Sequence, residues 1–245
     1  MKRCLIVIGN EGSANNFLPG VKADVENYLA YFKSNNGGAW EADEIVPRNF
    51  GWSKLGLKTE IMDRRMKGLD YALIVFVGHG YAEREGGIYF ELSPDNDVSL
   101  DEIKSFFPNQ KVLMIADSCQ SYIPEATLRK RTSLRKSGDS RLRNMLKNKY
   151  NRQIENVCSN AFTFASAVSL GESANEDSRG GLYSRYLLSH AKGIANNPSY
   201  TGNEVVDINR INSEVRKDVL DYSKQKQTPS ITITRGDVYP PFYVQ

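Results

Sequence analysis

Four predominantly apolar runs, separated by segments with helical periodicity, constrain the fold of this 245-residue chain more than any other feature. The runs cover residues 4–9, 71–78, 111–116 and 161–167. A strand that is apolar at every position has both faces buried, which is typical of a parallel sheet covered by helices on both sides. The sequence therefore predicts a three-layer α/β fold with a mostly parallel central sheet and helices on both faces.

The segments between these runs are assigned from apolar spacing, capping residues and Gly or Pro breakers. We predict helices over residues 21–32, 54–67, 99–107, 182–195 and 203–224, and further strands over residues 41–47 and 231–234. Residues 86–92 are predicted to form a small hairpin or an edge strand. The helix at 99–107 has a clear start signal, because Ser99 and Glu102 have the spacing of a capping box.

Two of the predicted strands end on residues that can do chemistry. His79 lies between two glycines directly after the run 71–78, and Cys119 follows the run 111–116, two residues after Asp117. Ligands of open parallel sheets bind beyond the carboxyl ends of the strands. An imidazole and a thiol that meet at this edge are the minimal set for thiolate catalysis. Each residue alone is more often structural, and only their combination favours catalysis.

Composition and spacing argue against several other kinds of site. The chain has three cysteines and two histidines, with no Cys-x-x-Cys pair, so we predict neither a disulfide framework nor a metal centre. The acidic group Asp95, Asp97 and Asp101 is too weak a pattern to assign calcium, and we predict no cofactor. No apolar run approaches the ~20 residues needed to span a bilayer. Because the N-terminus is interpreted as a strand and not as a signal peptide, we expect a cytoplasmic protein without membrane contact.

The net charge of +3 belongs to one segment. Residues 127–152 hold ten Lys and Arg residues and one acid, Asp139, so this block carries +9 and the remainder −6. Such a block is one signature of nucleic-acid binding, but it lacks a stacking platform because Tyr150 is its only aromatic residue. Nucleic-acid binding is therefore disfavoured. Residues 121–156 show little apolar periodicity, and we interpret them as an exposed insertion with a short helix near 140–150.

The chain resembles the caspase-like cysteine peptidases, especially their metacaspase and other bacterial branches. The resemblance is carried by Gly78-His79-Gly80 and Asp117-Ser118-Cys119-Gln120-Ser121, with weaker support from residues 171–174, 181–188 and 227–229. It covers nearly the whole chain as one catalytic domain, residues 1–245. Within that domain it implies a large-subunit-like part at 1–120, a basic inserted loop at 121–159 and a small-subunit-like part at 160–245.

By this resemblance the chain is a cysteine endopeptidase. His79 and Cys119 form its dyad, and the backbone N–H groups of Gly80 and Cys119 supply the oxyanion hole. Bacterial relatives act in regulated proteolysis, including antiviral defence and cell death. The expected partners are protein substrates and an activating protein or protease. The alternative is a catalytically inactive caspase-like fold that serves as a binding or scaffold module.

One departure from the animal caspases concerns specificity. Those enzymes hold a substrate aspartate with arginines, whereas this chain has Asp117 two residues before Cys119. In metacaspases an acid at that place lines the first specificity pocket and selects Arg or Lys, and a buried carboxylate gains a charge-assisted partner only from a basic side chain. Glu172 and Glu176 lie in the loop that is expected to face this pocket. The other interpretation is that Asp117 caps nearby backbone N–H groups.

The basic loop gains a second interpretation from the same resemblance. It lies between the two subunit-like parts, where many family members are cut during activation, and proteolysis concentrates in exposed segments. An enzyme specific for Arg or Lys finds its preferred residues there. We therefore predict cleavage of a zymogen between Arg129 and Arg152, by the enzyme itself or by a partner protease. A solvated charged loop with no role in activation is an equally open alternative.

Overall fold

A five-stranded sheet forms the middle layer of the fold, and four of its strands run parallel. The computed structural model describes residues 1–47, 49–84, 86–121, 140–194 and 204–245. In chain order, the described elements are β1 Arg3–Asn10, α1 Val21–Lys33, a 3₁₀ turn Ala42–Glu44, α2 Lys54–Met66, β2 Tyr71–Gly78, β3 Gly80–Ala82, β4 Ile88–Ser93, β5 Asn96–Ser99, α3 Leu100–Ser105, β6 Lys111–Asp117, α4 Ser140–Asn156, β7 Phe162–Ser166, β8 Glu176–Asp177, β9 Gly180–Gly181, α5 Leu182–Ile194, β10 Val205–Asp207, α6 Ile208–Tyr222, β11 Ser230–Ile233 and β12 Pro241–Val244.

The order of strands in the central sheet is β1-β2-β6-β7-β11, and β11 runs antiparallel to β7. Alternate residues of the central strands enter two separate cores. Leu73 and Val75 of β2 lie in the core with α1, α4, α5 and α6, whereas Ile74 and Phe76 lie in the core with α2, α3 and the small antiparallel sheet β3-β4-β5. Burial on both faces is what uninterrupted apolar strands require. The predicted three-layer α/β architecture is confirmed.

The predicted strand at 41–47 is wrong. The chain there forms the 3₁₀ turn Ala42–Glu44, followed by a single parallel bridge between Ile45 and Leu5. A capping box between Glu41 and Glu44 closes the turn. Side-chain bonds to nearby backbone N–H groups compete with a strand ladder, so this segment pairs with β1 only at one point.

The predicted helix at 203–224 also needs correction. The helix begins at Ile208, where the Asp207 side chain accepts a hydrogen bond of 2.8 Å from the Arg210 N–H. The residues before it form β10, which pairs with β12, and residue 203 lies outside the described ranges. Strand β12 was not expected because two prolines precede its apolar residues, and proline usually marks a break in a strand.

The second half of the predicted insertion belongs to the core. Residues 140–156 form α4, which is longer than the short helix expected, and Leu146, Tyr150 and Ile154 on it are buried. Their spacing of four residues gives a single narrow apolar stripe on an otherwise basic helix. The exposure predicted for 121–156 is therefore wrong for this half. The other predicted part, residues 122–139, lies outside the described residues.

Ion pairs connect α4 to the body of the protein. Lys147 Nζ lies 3.0 Å from the Glu44 carboxylate, and Arg143 Nε lies 3.1 Å from the Glu41 carboxylate. The buried Arg3 guanidinium joins the same group, because it donates to Glu44 and to Asn151 on α4 at 2.9 Å each. Part of the basic block is thus neutralised inside the fold. Of the helices in the described ranges, none has the length and apolar character needed to cross a membrane.

Candidate active site

Adjacent parallel strands bring His79 and Cys119 to the same edge of the sheet. Val77 of β2 is in register with Asp117 of β6, and each of the two candidate residues follows its strand residue by two positions. The segments that carry them touch, because a Cβ added to Gly80 would lie 3.0 Å from the carbonyl oxygen of Cys119. The carboxyl edge of the sheet therefore presents an imidazole beside a thiol-bearing turn.

A main-chain carbonyl orients the His79 ring. Nε2 of His79 lies 2.5 Å from the carbonyl oxygen of Asn16, and because a carbonyl oxygen only accepts, Nε2 carries the proton of this hydrogen bond. In the neutral imidazole, Nδ1 is then the nitrogen that can accept a proton. Asn16 is held in turn by its own side chain, whose Oδ1 accepts from the Ser13 N–H at 2.6 Å.

The Cys119 thiol lies against the loop that precedes β8. The Ala174 N–H points at Cys119 Sγ with an N···S distance of 3.4 Å. Burial raises the pKa of the Cys119 thiol, and the Ala174 N–H offsets only part of that effect. The resting group at neutral pH is therefore a thiol and not a thiolate, so nucleophilic chemistry at this sulfur requires a nearby base.

The N–H of Gly80 points away from the small sheet. Gly80 of β3 pairs with Phe90 of β4, and the Glu91 N–H donates to the carbonyl oxygen of His79 at 3.0 Å. In an antiparallel ladder this pattern makes Gly80 and Phe90 a non-hydrogen-bonded pair, so the Gly80 N–H faces the opposite side. The Ala82 N–H faces that side too, and it lies 3.5 Å from the carbonyl oxygen of Ser121. The Gly80 N–H is thus on the side of the Cys119 segment.

An acidic cavity opens beside Cys119. Its walls come from the start of α1, from the ends of β2 and β6, and from the segment that contains β8 and β9. The lining residues are Leu18, Val21, Asp24, Val77, Gly78, Asp117, Ser118, Cys119, Ala174, Glu176 and Gly181. Three carboxyl groups, those of Asp24, Asp117 and Glu176, therefore share one cavity with the candidate nucleophile.

Backbone N–H groups hold one oxygen of each buried aspartate. Asp117 Oδ2 accepts from the Ser184 N–H at 2.8 Å, and Asp24 Oδ2 accepts from the Gly181 N–H at 2.7 Å. The other oxygen of Asp24, Oδ1, is buried and makes no hydrogen bond to the described part of the chain. A buried polar atom without a partner is costly. The cavity therefore favours a ligand that brings a hydrogen-bond donor or a positive charge.

Burial and mutual repulsion favour the protonated forms of these three groups. Burial raises the pKa of Asp24 well above its usual range, and the charge of Asp117 raises it further. Burial also raises the pKa of Asp117, against the hydrogen bonds from Ser184. Burial raises the pKa of Glu176 to about 7; the Gly20 N–H opposes this shift, and the charges of Asp117 and Asp177 add to it.

Glu172 does not line the cavity. Its carboxylate accepts from the Thr228 N–H at 2.7 Å, from the Thr228 hydroxyl at 2.8 Å and from the Ser169 N–H at 3.1 Å. Because these internal donors occupy both oxygens, Glu172 ties its loop to the segment before β11, which argues against the predicted substrate-binding role. Asp117 fits both of its interpretations, since it caps the start of α5 through Ser184 and also lines the cavity.

Sequence reasoning did not assign Asp24, although a signal for it exists. Asp24 lies three residues after Val21 and four before Tyr28, so it falls on the apolar face of α1. A carboxylate on the buried face of a helix that starts near the carboxyl edge of a sheet is a candidate site residue. Asn16 offered no such signal, because the contact with His79 uses only its backbone oxygen.

The acidic group considered for calcium has internal partners. Asp97 accepts from the Tyr81 hydroxyl at 2.8 Å, and Asp101 lies 2.8 Å from Lys104 Nζ. Across the described ranges, no group of three or more His, Cys, Asp or Glu side chains is arranged to hold a metal ion.

A family model described as a caspase domain matches residues 1–239. The chain belongs to the caspase-domain family. Membership in this family supports a cysteine peptidase activity for the chain. No curated protein matches its sequence.

Solved structures with similar folds include two insect caspases. Caspase-1 of Spodoptera frugiperda has a TM-score of 0.58 at 15% identity, with 95% of this chain and 87% of that chain covered. The Drosophila initiator caspase Dronc has a TM-score of 0.58 at 11% identity, with 98% and 81% covered. A protein of Geobacter sulfurreducens has a TM-score of 0.61 at 15% identity and covers 100% and 99%. At these identities the likeness shows the fold.

Gly181 of this caspase domain leaves no space for a side chain. A Cβ at this position would overlap the Asp117 carboxylate, whereas at Gly193 in α5 it would meet nothing within 4 Å. We expect Gly181→Ala to lower the free energy of unfolding by about 1–3 kcal/mol, because Asp117 must move. Gly193→Ala is expected to be neutral or to stabilise by up to about 1 kcal/mol. Urea denaturation of both variants checks this, and equal stabilities would contradict the packing.

Proposed function

We propose that this caspase domain is a cysteine endopeptidase that cleaves protein substrates after Arg or Lys. The observation that carries the proposal is the cavity in which Asp24, Asp117 and Glu176 lie beside Cys119. A cationic side chain supplies the partner that the buried Oδ1 of Asp24 lacks. The planar guanidinium of arginine has donors enough to serve more than one carboxylate. A substrate aspartate would instead place a fourth acid in the cavity.

In the proposed reaction, Nδ1 of His79 takes the proton of the Cys119 thiol, and the sulfur attacks the carbonyl carbon of the scissile peptide bond. The developing negative charge on the carbonyl oxygen is stabilised by the N–H groups of Gly80 and Cys119. The imidazolium then protonates the leaving amine as the C–N bond breaks. Water, deprotonated by the same ring, attacks the thioester, and release of the carboxylic acid product regenerates the thiol.

Two features of the site support this assignment of roles. The raised pKa of the Cys119 thiol makes a base necessary, and the bond from Nε2 of His79 to Asn16 leaves Nδ1 for that task. A catalytically inactive scaffold, the alternative, gives no chemical reason for an imidazole, a thiol and an acidic cavity at one edge of the sheet.

Fluorogenic peptides that differ only at the cleaved position test the proposal. We expect kcat/KM for Arg or Lys to exceed that for Asp by at least about 100-fold, the size of effect that two charge-assisted hydrogen bonds supply. Preference for Asp would overturn the specificity. Failure to cleave any peptide, before and after limited proteolysis of the basic loop at 121–159, would favour the inactive scaffold.

We also propose that cleavage within the basic loop at 121–159 activates the enzyme. The family resemblance suggests a role in regulated proteolysis, including antiviral defence. Arg143 and Lys147 belong to α4 and make ion pairs with the body, so cutting there requires the helix to unfold. The cut is therefore expected before α4, at a basic residue in 129–139, which lies outside the described ranges. Intact-mass measurement of the wild type and Cys119→Ala checks this, and a fully active uncut wild type would count against it.

A further inference from the structure

The candidate specificity cavity contains more carboxyl groups than the described residues around it supply cations. Its three carboxyl groups come from three elements, Asp24 from α1, Asp117 from β6 and Glu176 from β8. The cation nearest to them on α5 is Arg185, whose charge acts on both aspartates. Arg185 is already engaged, because its guanidinium lies 3.3 Å from the Asp177 carboxylate. Among the described residues, one shared cation therefore faces a group of three acids.

The other titratable groups that face the cavity cannot balance this charge. The hydroxyls of Tyr28 on α1 and Tyr183 on α5 have their pKa values raised by burial, with the charge of Asp117 as a further cause, so both stay neutral. Burial also raises the pKa of the Cys119 thiol, so this group is neutral as well. Asp177 also pairs with Arg179 at 2.6 Å, outside the cavity lining. No other cation in the described ranges lines the unliganded cavity, so within this part of the chain protons are the remaining means of reducing its negative charge.

We propose that the unliganded cavity carries protons shared among Asp24, Asp117 and Glu176, and that an entering Arg or Lys side chain displaces one of them to solvent. The inference rests on the proposed function, because it assumes that this cavity receives a basic side chain. The exchange is balanced: one carboxyl O–H bond breaks, its proton goes to buffer, and the carboxylate left behind pairs with the cation, which keeps its own protons.

The geometry explains why the exchange is local to this cavity. Backbone N–H groups satisfy one oxygen of Asp24 and one of Asp117, so each carboxyl group is fixed while Oδ1 of Asp24 stays without a donor. A proton shared among the acids serves that oxygen in the unliganded state, and a guanidinium N–H serves it in the complex. Substrate affinity then depends on pH through the specificity cavity, in addition to any dependence that arises from the nucleophile.

The size of the effect follows from Glu176, whose pKa of about 7 makes it half protonated at pH 7. If pairing with the cation keeps it ionised in the complex, at least about half a proton leaves per bound side chain at pH 7. The dissociation constant then falls about tenfold between pH 6 and pH 8 from this group alone. Protons released by the two aspartates increase both values.

Calorimetry on Cys119→Ala protein tests the inference without turnover. Two peptides are compared that differ only in arginine or citrulline, its neutral isostere, at the residue that enters the cavity. Each is titrated at pH 7 in buffers of different ionisation enthalpy, because the slope of the binding enthalpy against buffer enthalpy counts the protons released. We expect release of at least about half a proton for arginine and none for citrulline. Glu176→Gln should lower the arginine value and flatten its pH dependence near pH 7.

The outcomes separate the inference from the proposed function. Tighter binding of the arginine peptide with no buffer dependence would overturn the proton exchange and leave the specificity for basic residues intact. Equal binding of the two peptides at every pH would overturn the specificity itself, and the exchange with it. If citrulline binding is too weak to titrate, the arginine peptide is titrated into Cys119→Ala protein with and without the Glu176→Gln change. Equal proton release by these two proteins would contradict the inference.

Discussion

Replacing Cys119 by alanine is expected to lower kcat/KM toward an arginine-containing peptide by about 10⁴-fold or more, because no other described residue that lines the cavity carries a thiol to form the thioester. Cys158 offers a matched control, since it is a second free and partly exposed thiol in the described part of the chain. Cys158→Ala should retain wild-type kinetics. Peptide hydrolysis by both purified variants, with circular dichroism to confirm folding, makes the comparison.

His79→Ala should reduce kcat/KM by about 10²–10⁴-fold, the usual contribution of a positioned base. The loss is not expected to add to that of Cys119→Ala, because the two residues act as one unit. Activity that survives in Cys119→Ala but disappears in Cys158→Ala would move the nucleophile elsewhere and overturn the assigned dyad.

Asp24→Asn is expected to reduce kcat/KM for an arginine substrate by about 10–100-fold while leaving a neutral substrate nearly unaffected. The change removes one charge-assisted hydrogen bond, worth about 1.5–3 kcal/mol. Asparagine keeps the shape of the side chain and an oxygen that can accept from the Gly181 N–H, as Asp24 does at 2.7 Å. Stability should therefore change little. Steady-state kinetics with Arg and citrulline peptides measures the effect.

Asp101→Asn is the matched control for Asp24→Asn. Asp101 is an exposed aspartate whose carboxylate lies 2.8 Å from Lys104 Nζ, and it does not line the cavity. Loss of an exposed ion pair should alter kcat/KM less than about threefold, since such pairs contribute about 1 kcal/mol or less. If both aspartate variants lose selectivity for arginine equally, the effect comes from general charge and not from the cavity.

The central sheet could be predicted because burial of a strand on both faces leaves a signal within the sequence of that strand. A strand buried on both faces must be apolar at every position, as β2 is over Tyr71–Gly78. The start of α3 was equally readable, since Ser99 accepts from the Glu102 N–H at 3.1 Å and the Glu102 carboxylate accepts from the Ser99 N–H at 2.9 Å, as a capping box requires. The positions of His79 and Cys119 at one edge follow from strand register.

The parts that could not be predicted depend on contacts between distant segments. Residues 41–47 include the β-branched pair Ile45 and Val46, which favours a strand, but a capping box and ion pairs to α4 hold the segment as a turn. The buried face of α4 consists of a stripe one residue wide, Leu146, Tyr150 and Ile154. Basic residues surround this stripe in the sequence, so its apolar periodicity is weak. The sequence alone cannot distinguish the roles of Glu172 and Glu176, which lie in the same loop. In the structure, Glu172 accepts a hydrogen bond from the Thr228 N–H, whereas Glu176 lines the cavity.

Cleavage of a peptide library by the wild-type protein, with Cys119→Ala as the control, tests the central claim most directly. Mass spectrometry of the products identifies the residue on the amino side of each cut. The account predicts Arg or Lys at that residue in nearly all products, and no products from Cys119→Ala. Cuts after Asp, or cuts that persist in Cys119→Ala, would contradict it.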